Sequence, residues 1–245
     1  MDDLARSTFP PKLLKYIEHV EHRTKRRTRF EYVDGFNLSG NSFGFRLDPH
    51  SLCIGVIRGN NLDDLRAERS IAHEITHGLL IYGLGYYALT VKETASDEDI
   101  QHLSLLSFID DIVVNKIIQE QGFPVFGATY YEMLNKEIQA ARYGVDIYDS
   151  SYSTLFKRRY MASRYILSWG AIQYYDLDPD DRNLLTEFLR VFQKAFPRPY
   201  MVAKDIEELI LKNDIFSTVG HKHTLENIIK QWNLENCCSL DCFKT

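Results

Sequence analysis

The stretch Ser70-Ile71-Ala72-His73-Glu74-Ile75-Thr76-His77-Gly78-Leu79-Leu80-Ile81-Tyr82 decides how the rest of this chain is read. Its apolar residues recur three and four apart, the helical period. A helix is expected from a cap at Asn61 or Asp63 to Tyr82, where Gly83 and Gly85 supply the stop. On such a helix residues four apart lie about 40° apart around the axis, so His73 and His77 project side by side. Two neutral imidazoles in that relation can share one divalent ion, and Glu74 lies one position round, beside the open coordination site. Ile71, Ile75, Gly78, Leu79 and Tyr82 fall on the opposite side, which turns both histidines away from the apolar stripe. Hydrolysis is the chemistry this pattern serves: the ion makes a bound water acidic, and the carboxylate takes its proton as it attacks a carbonyl carbon.

Upstream of the motif the period changes. Phe30, Tyr32, Phe36, Phe43, Phe45, Leu47, Leu52, Ile54 and Val56 are interrupted by Asp34-Gly35, Ser39-Gly40-Asn41 and Asp48-Pro49-His50. These are turn signals between short strands, and they predict a small antiparallel sheet of two to four strands ending with Leu52 to Ile57. That last strand, if it borders the cleft, could pair with an extended peptide substrate. An N-terminal helix is expected from Pro11 to His22, where Leu13, Leu14, Tyr16, Ile17 and Val20 keep helical spacing.

A catalytic zinc needs a third protein ligand, and the source must lie downstream. A long helical pattern runs from about Asp97 to Gln121 and ends at Gly122-Phe123-Pro124; it offers the adjacent pair Asp110 and Asp111. One of such a pair faces about 100° away from the other, so the two compete. If both are solvated, the run Asp97-Glu98-Asp99 or His102 is the remaining source. Beyond lie successive helices over Tyr130 to Tyr143, Tyr152 to Tyr174, Asp180 to Phe196, Val202 to Lys212 and His223 to Trp232. The organisation expected is a catalytic core over residues 1–145 and a helical region over 146–245, with a soft boundary. The fold class is α+β.

With these residues in place, the chain resembles the zincin metallopeptidases, in particular the glutamate-zincin branch and the bacterial ImmA/IrrE-like peptidases. The resemblance covers roughly residues 28 to 123 and rests on His73-Glu74-Ile75-Thr76-His77 with a loosely matched second helix. It implies a zincin-like core made of an N-terminal helix, a small sheet, the motif helix and a ligand-bearing second helix. In that branch an acidic ligand is followed four residues later by an Asp supporting a zinc-bound histidine. Carried onto this sequence, Asp111 becomes the ligand and Asn115 its supporting partner. Asp replaces the family's Glu and Asn its Asp, so the shorter ligand requires a closer approach of the two helices.

Tyr160 and Tyr165, with Arg164, lie on an aromatic, basic helix, and Tyr160 is a candidate to stabilise an oxyanion. His221-Lys222-His223 could reach a metal, although at a helix entry such residues more often cap or face solvent. Cys53, Cys237, Cys238 and Cys242 make no disulfide framework, and the last three read as reduced thiols on or near a loose tail.

A chain of 245 residues, 44% hydrophobic and 26% charged, can bury a core without staples. A formal net charge of -5 and a pI near 5.9 give no electrostatic reason for a nucleic-acid partner, despite Lys25-Arg26-Arg27 and Lys157-Arg158-Arg159. The acidic start Met1-Asp2-Asp3 lacks the apolar region of a signal peptide, and no apolar run is long enough to span a bilayer. The expectation is a cytoplasmic enzyme with no membrane or nucleic-acid partner, using Zn²⁺ to cleave a protein or peptide substrate. Two other readings remain: hydrolysis of a non-peptide amide, or a catalytically inactive zincin-fold binding or sensor module. Oligomeric state, cleavage specificity and latency are not legible.

Overall fold

The computed structural model describes residues 9–33, 43–57, 65–126, 128–143 and 152–243. The fold is α+β and mostly helical, with two small sheets. It divides into two compact units, Met1–Tyr86 with Ile117–Val125 and Cys242–Thr245, and Tyr87–Lys116 with Phe126–Asp241. The expected boundary at 145 lies outside the described residues.

In the first unit, helix α1 (Pro11–Thr24) starts on a proline, which needs no N–H there, and buries Leu13, Tyr16, Ile17 and Val20 on one face. Lys25 ends it in the left-handed conformation, φ 56°. Strands β1 (Arg27–Val33), β2 (Phe43–Arg46) and β3 (Ser51–Ile57) form a sheet in the order β1-β3-β2. β1 runs parallel to β3, with Phe30 opposite Ile54, and β2 antiparallel, with Phe45 opposite Ile54. The sheet is therefore mixed, not antiparallel as expected. Composition accounts for it: Leu52, Cys53, Ile54 and Val56 of β3 are all buried, and a strand apolar on both faces belongs in the middle. The β2–β3 turn is tied by the Asp48 carboxylate, which accepts from the N–H groups of His50 and Ser51 at 2.7 Å each.

Helix α2 (Leu65–Gly78) carries the motif and continues into a π-helical turn (Leu79–Leu84), closed by Gly85 at φ 79°. The expected caps at Asn61 and Asp63 lie outside the described residues. Ile71, Ala72, Ile75 and Leu79 are buried, as the apolar stripe requires. Tyr82 in the π turn is buried too; its hydroxyl donates to the Asp48 carbonyl at 2.8 Å and so anchors the β2–β3 turn. Tyr16 of α1 reaches Thr76 at 2.6 Å, oxygen to oxygen, which fixes the rotation of α2 against α1.

The second unit opens with β4 (Tyr87–Val91), paired with β5 (Cys238–Cys242). The cysteine segment is thus strand rather than loose tail; Cys53 and Cys238 are buried, Cys242 is exposed, and all four thiols are free. The long helix expected over Asp97 to Gln121 is two, α3 (Asp97–Ser104) and α4 (Ser107–Glu120). Its apolar pattern runs through the break because Leu106, in the turn, and Phe108, just after it, are both buried. α3 begins with a capping box, Ser96 accepting from the Asp99 N–H and Asp99 from the Ser96 N–H. Helices α5 (Ala128–Tyr143), α6 (Thr154–Tyr174), α7 (Pro179–Ala195), α8 (Pro197–Lys212) and α9 (Thr218–Gln231) follow close to expectation. Ser153, Asp178 and Ser217 cap three of them. α6 packs on α7 and α8 around Ile166, Phe188, Phe192 and Ile206. Among the described residues no helix is long and apolar enough to cross a membrane.

Candidate metal centre

The motif helix presents its two histidines to each other. The rings of His73 and His77 meet edge to face with centroids 4.9 Å apart, and their Nε2 atoms are 3.2 Å apart. Two nitrogens bound to one tetrahedral zinc at 2.0–2.1 Å would be separated by about 3.3 Å. The pair is therefore already spaced as two corners of such a site. Both side chains are half-buried, out of the apolar stripe but not in open solvent.

A third ligand would have to come from another element, and the candidate Asp111 lies on α4, in the second unit. Two imidazoles and a carboxylate suit zinc and would leave a further coordination position. Among the described residues none of the tail cysteines belongs to a group of three or more His, Cys, Asp or Glu side chains placed to hold a metal ion.

Its competitor is engaged elsewhere. Asp110 Oδ1 lies 2.7 Å from Nε2 of His221, a wholly buried side chain in the first turn of α9. His221 thus neither caps a helix nor faces solvent, and sequence reading missed its pairing; the only signal was a histidine flanked by Gly220 and Thr224, which are also buried. Asn115, one turn after Asp111 on α4, is buried. In the other acidic run, Asp99 serves the cap of α3, and hydrogen bonds from Ser96 hold its carboxyl below the usual range. His102 is 3% exposed and packs on Phe156 with ring centroids 5.6 Å apart. Burial, then the Arg159 charge, pushes its pKa down, so its imidazole is neutral at pH 7.

Glu74 points to the sheet. Its Oε2 accepts the backbone N–H of Phe45, in β2, at 2.8 Å. Gly78 lets α2 lie close to the sheet: a Cβ there would lie 2.6 Å from Leu52 Cδ2 and 3.1 Å from Phe45 Cε2, so a larger residue would require Leu52 or the helix to shift. β3 does not have the free edge expected of a peptide-pairing strand, because β1 and β2 flank it on both sides. The outer strands are β1 and β2, and β2 is the one whose backbone meets Glu74.

Tyr160 sits on α6, half-buried and stacked on Phe156. Burial raises its pKa, which keeps it a hydrogen-bond donor. Arg164, one turn on, is used structurally: its guanidinium forks onto Glu137 at 3.1 and 3.2 Å and lies over the Tyr130 ring, all within the second unit. Tyr165 is buried against Phe192 and Tyr200. No known protein family, curated protein or solved structure matches this chain.

Proposed function

We propose that this chain is a zinc-dependent hydrolase that cleaves a peptide bond in a protein or peptide substrate. One observation carries the reading: two Nε2 atoms 3.2 Å apart on one helix face, the spacing of two corners of a tetrahedral site. His73, His77 and Asp111 are the residues that would hold the metal. A zinc ion there would supply a Lewis acid and an activated water at neutral pH. With two imidazoles and one carboxylate around a dication, such a centre would keep a net positive charge and would favour an oxyanion.

Glu74 is the general base. It takes a proton from the attacking water and delivers it to the leaving nitrogen. Thr76, through Tyr16, holds the helix rotation on which the two histidines and Glu74 depend. Peptide rather than another amide is assigned from the likeness of motif and second helix to the zincins.

The test is metal analysis beside turnover. Purified protein is expected to hold about one zinc per chain; Asp111→Ala should lose it and Asp110→Ala should keep it. Glu74→Gln should retain the metal and lower hydrolysis of a mixed-peptide library by about 10²- to 10⁴-fold. A Glu74→Gln protein as fast as wild type would end the proposed mechanism. Profiling small amides and esters beside the peptides decides the bond.

A further inference from the structure

β2 is one of the two outer strands of its sheet, and among the described residues nothing pairs with its far side. In an antiparallel pair each residue either exchanges both backbone bonds with its opposite number or turns both groups away. Phe45 gives its N–H to Glu74, so it faces outward, and its carbonyl faces the same way. An outward N–H and C=O on one residue are what an edge strand offers to an incoming extended chain. Oε2 of Glu74 therefore occupies the place where the carbonyl of an added strand would sit.

We propose that the Phe45–Glu74 hydrogen bond is a latch, opened when an extended peptide pairs with the outer edge of β2 and takes over the Phe45 N–H. The inference rests on the reading of Glu74 as general base only for its consequence. A carboxylate that accepts a backbone N–H is held in one orientation and cannot turn freely toward a proton donor. Transfer of that N–H to a substrate carbonyl frees the carboxylate at the moment a peptide backbone lies beside it. The base is armed by a substrate that arrives extended, and a folded or short substrate leaves it tied. Gly78 is the second part of the device, since it lets β2 and α2 come close enough for the latch to close.

Two measurements on the full chain test this without turnover. In the first, amide hydrogen exchange, the Phe45 N–H should be protected in wild type and exchange about ten-fold faster in Glu74→Ala. In the second, a mixed library of end-blocked octapeptides is bound to Glu74→Gln, which keeps an acceptor oxygen, and to Glu74→Ala, which has none. Binding should be about five-fold tighter to Glu74→Ala, and the gain should vanish for backbone N-methylated peptides, which cannot pair with the Phe45 carbonyl. Equal exchange of Phe45, equal affinity for the two variants, or no binding to either overturns the latch. A chain that holds no zinc and hydrolyses nothing would sink the hydrolase reading instead, and would leave these readouts where they stand.

Discussion

His73 and His102 are the same side chain in opposite settings. His73 faces a second imidazole across 3.2 Å, whereas His102 is buried, with the exposed Glu98 carboxylate 3.7 Å from its Nε2, beyond hydrogen-bond distance. A buried, neutral His102 must lose ground in acid. Its folded-state pKa lies below the ordinary value near 6.5, so stability is complete above about pH 6.5 and falls as pH drops through that value toward the folded pKa. Replacing it with leucine should remove that loss. The urea midpoint of His102→Leu should gain on wild type between pH 7.5 and 5, by at most about 1.4 kcal/mol per pH unit. A constant difference across that range would show that His102 does not titrate between the two states. At this scale, what sequence revealed was local: His73, Glu74 and His77 carry their geometry in a five-residue spacing. The pairing of Asp110 with His221, 111 positions away, was not legible, because no periodicity reports such a contact.

Helices were legible because one face of each meets a core and prints the 3.6-residue period on the sequence. α7, with Leu185, Phe188 and Phe192 buried, is a plain case. Strand neighbours were not legible. Nothing in the alternation of β1 says that it runs beside β3 in parallel, because alternation records which face is buried and not which strand lies alongside. The join between α3 and α4 was hidden for a related reason: the turn at Leu105 and Leu106 keeps Leu106 in the core, so the apolar pattern has no gap. The seat of α2 on the sheet gives a prediction at this scale. Gly78→Ala gains about 1 kcal/mol of helix propensity but forces a methyl against the fully buried Leu52. Overpacking of that kind costs typically 1–3 kcal/mol, so the variant should be less stable by about 1 kcal/mol and the Phe45 amide less protected. Unchanged stability would mean that Leu52 moves aside freely.

The units of the whole molecule are not two halves of its sequence. Residues 117–125 return to the first unit after thirty residues of the second, and α4 begins in one and ends in the other. Turn residues and composition mark element ends, but an interleaved chain has no linker to betray its division. A ligand that binds only the folded chain adds to its stability by mass action, about 2.7 kcal/mol when present at a hundred times its dissociation constant. Zinc should accordingly raise the thermal midpoint of wild type and of Glu74→Gln, and a chelator should reverse it. His73→Ala should show neither effect; a midpoint in that variant that still followed zinc would place the ion elsewhere. The order β1-β3-β2 also sets a sequence of events in time. Arg46 and Cys53 are seven positions apart and can close as a hairpin within microseconds, whereas Arg27 meets Ser51 only across a loop of 24 positions. β3 is therefore expected to be paired on its β2 side first, so that Phe45 is in place before β1 arrives and the edge that faces Glu74 is among the earliest parts of this sheet to exist.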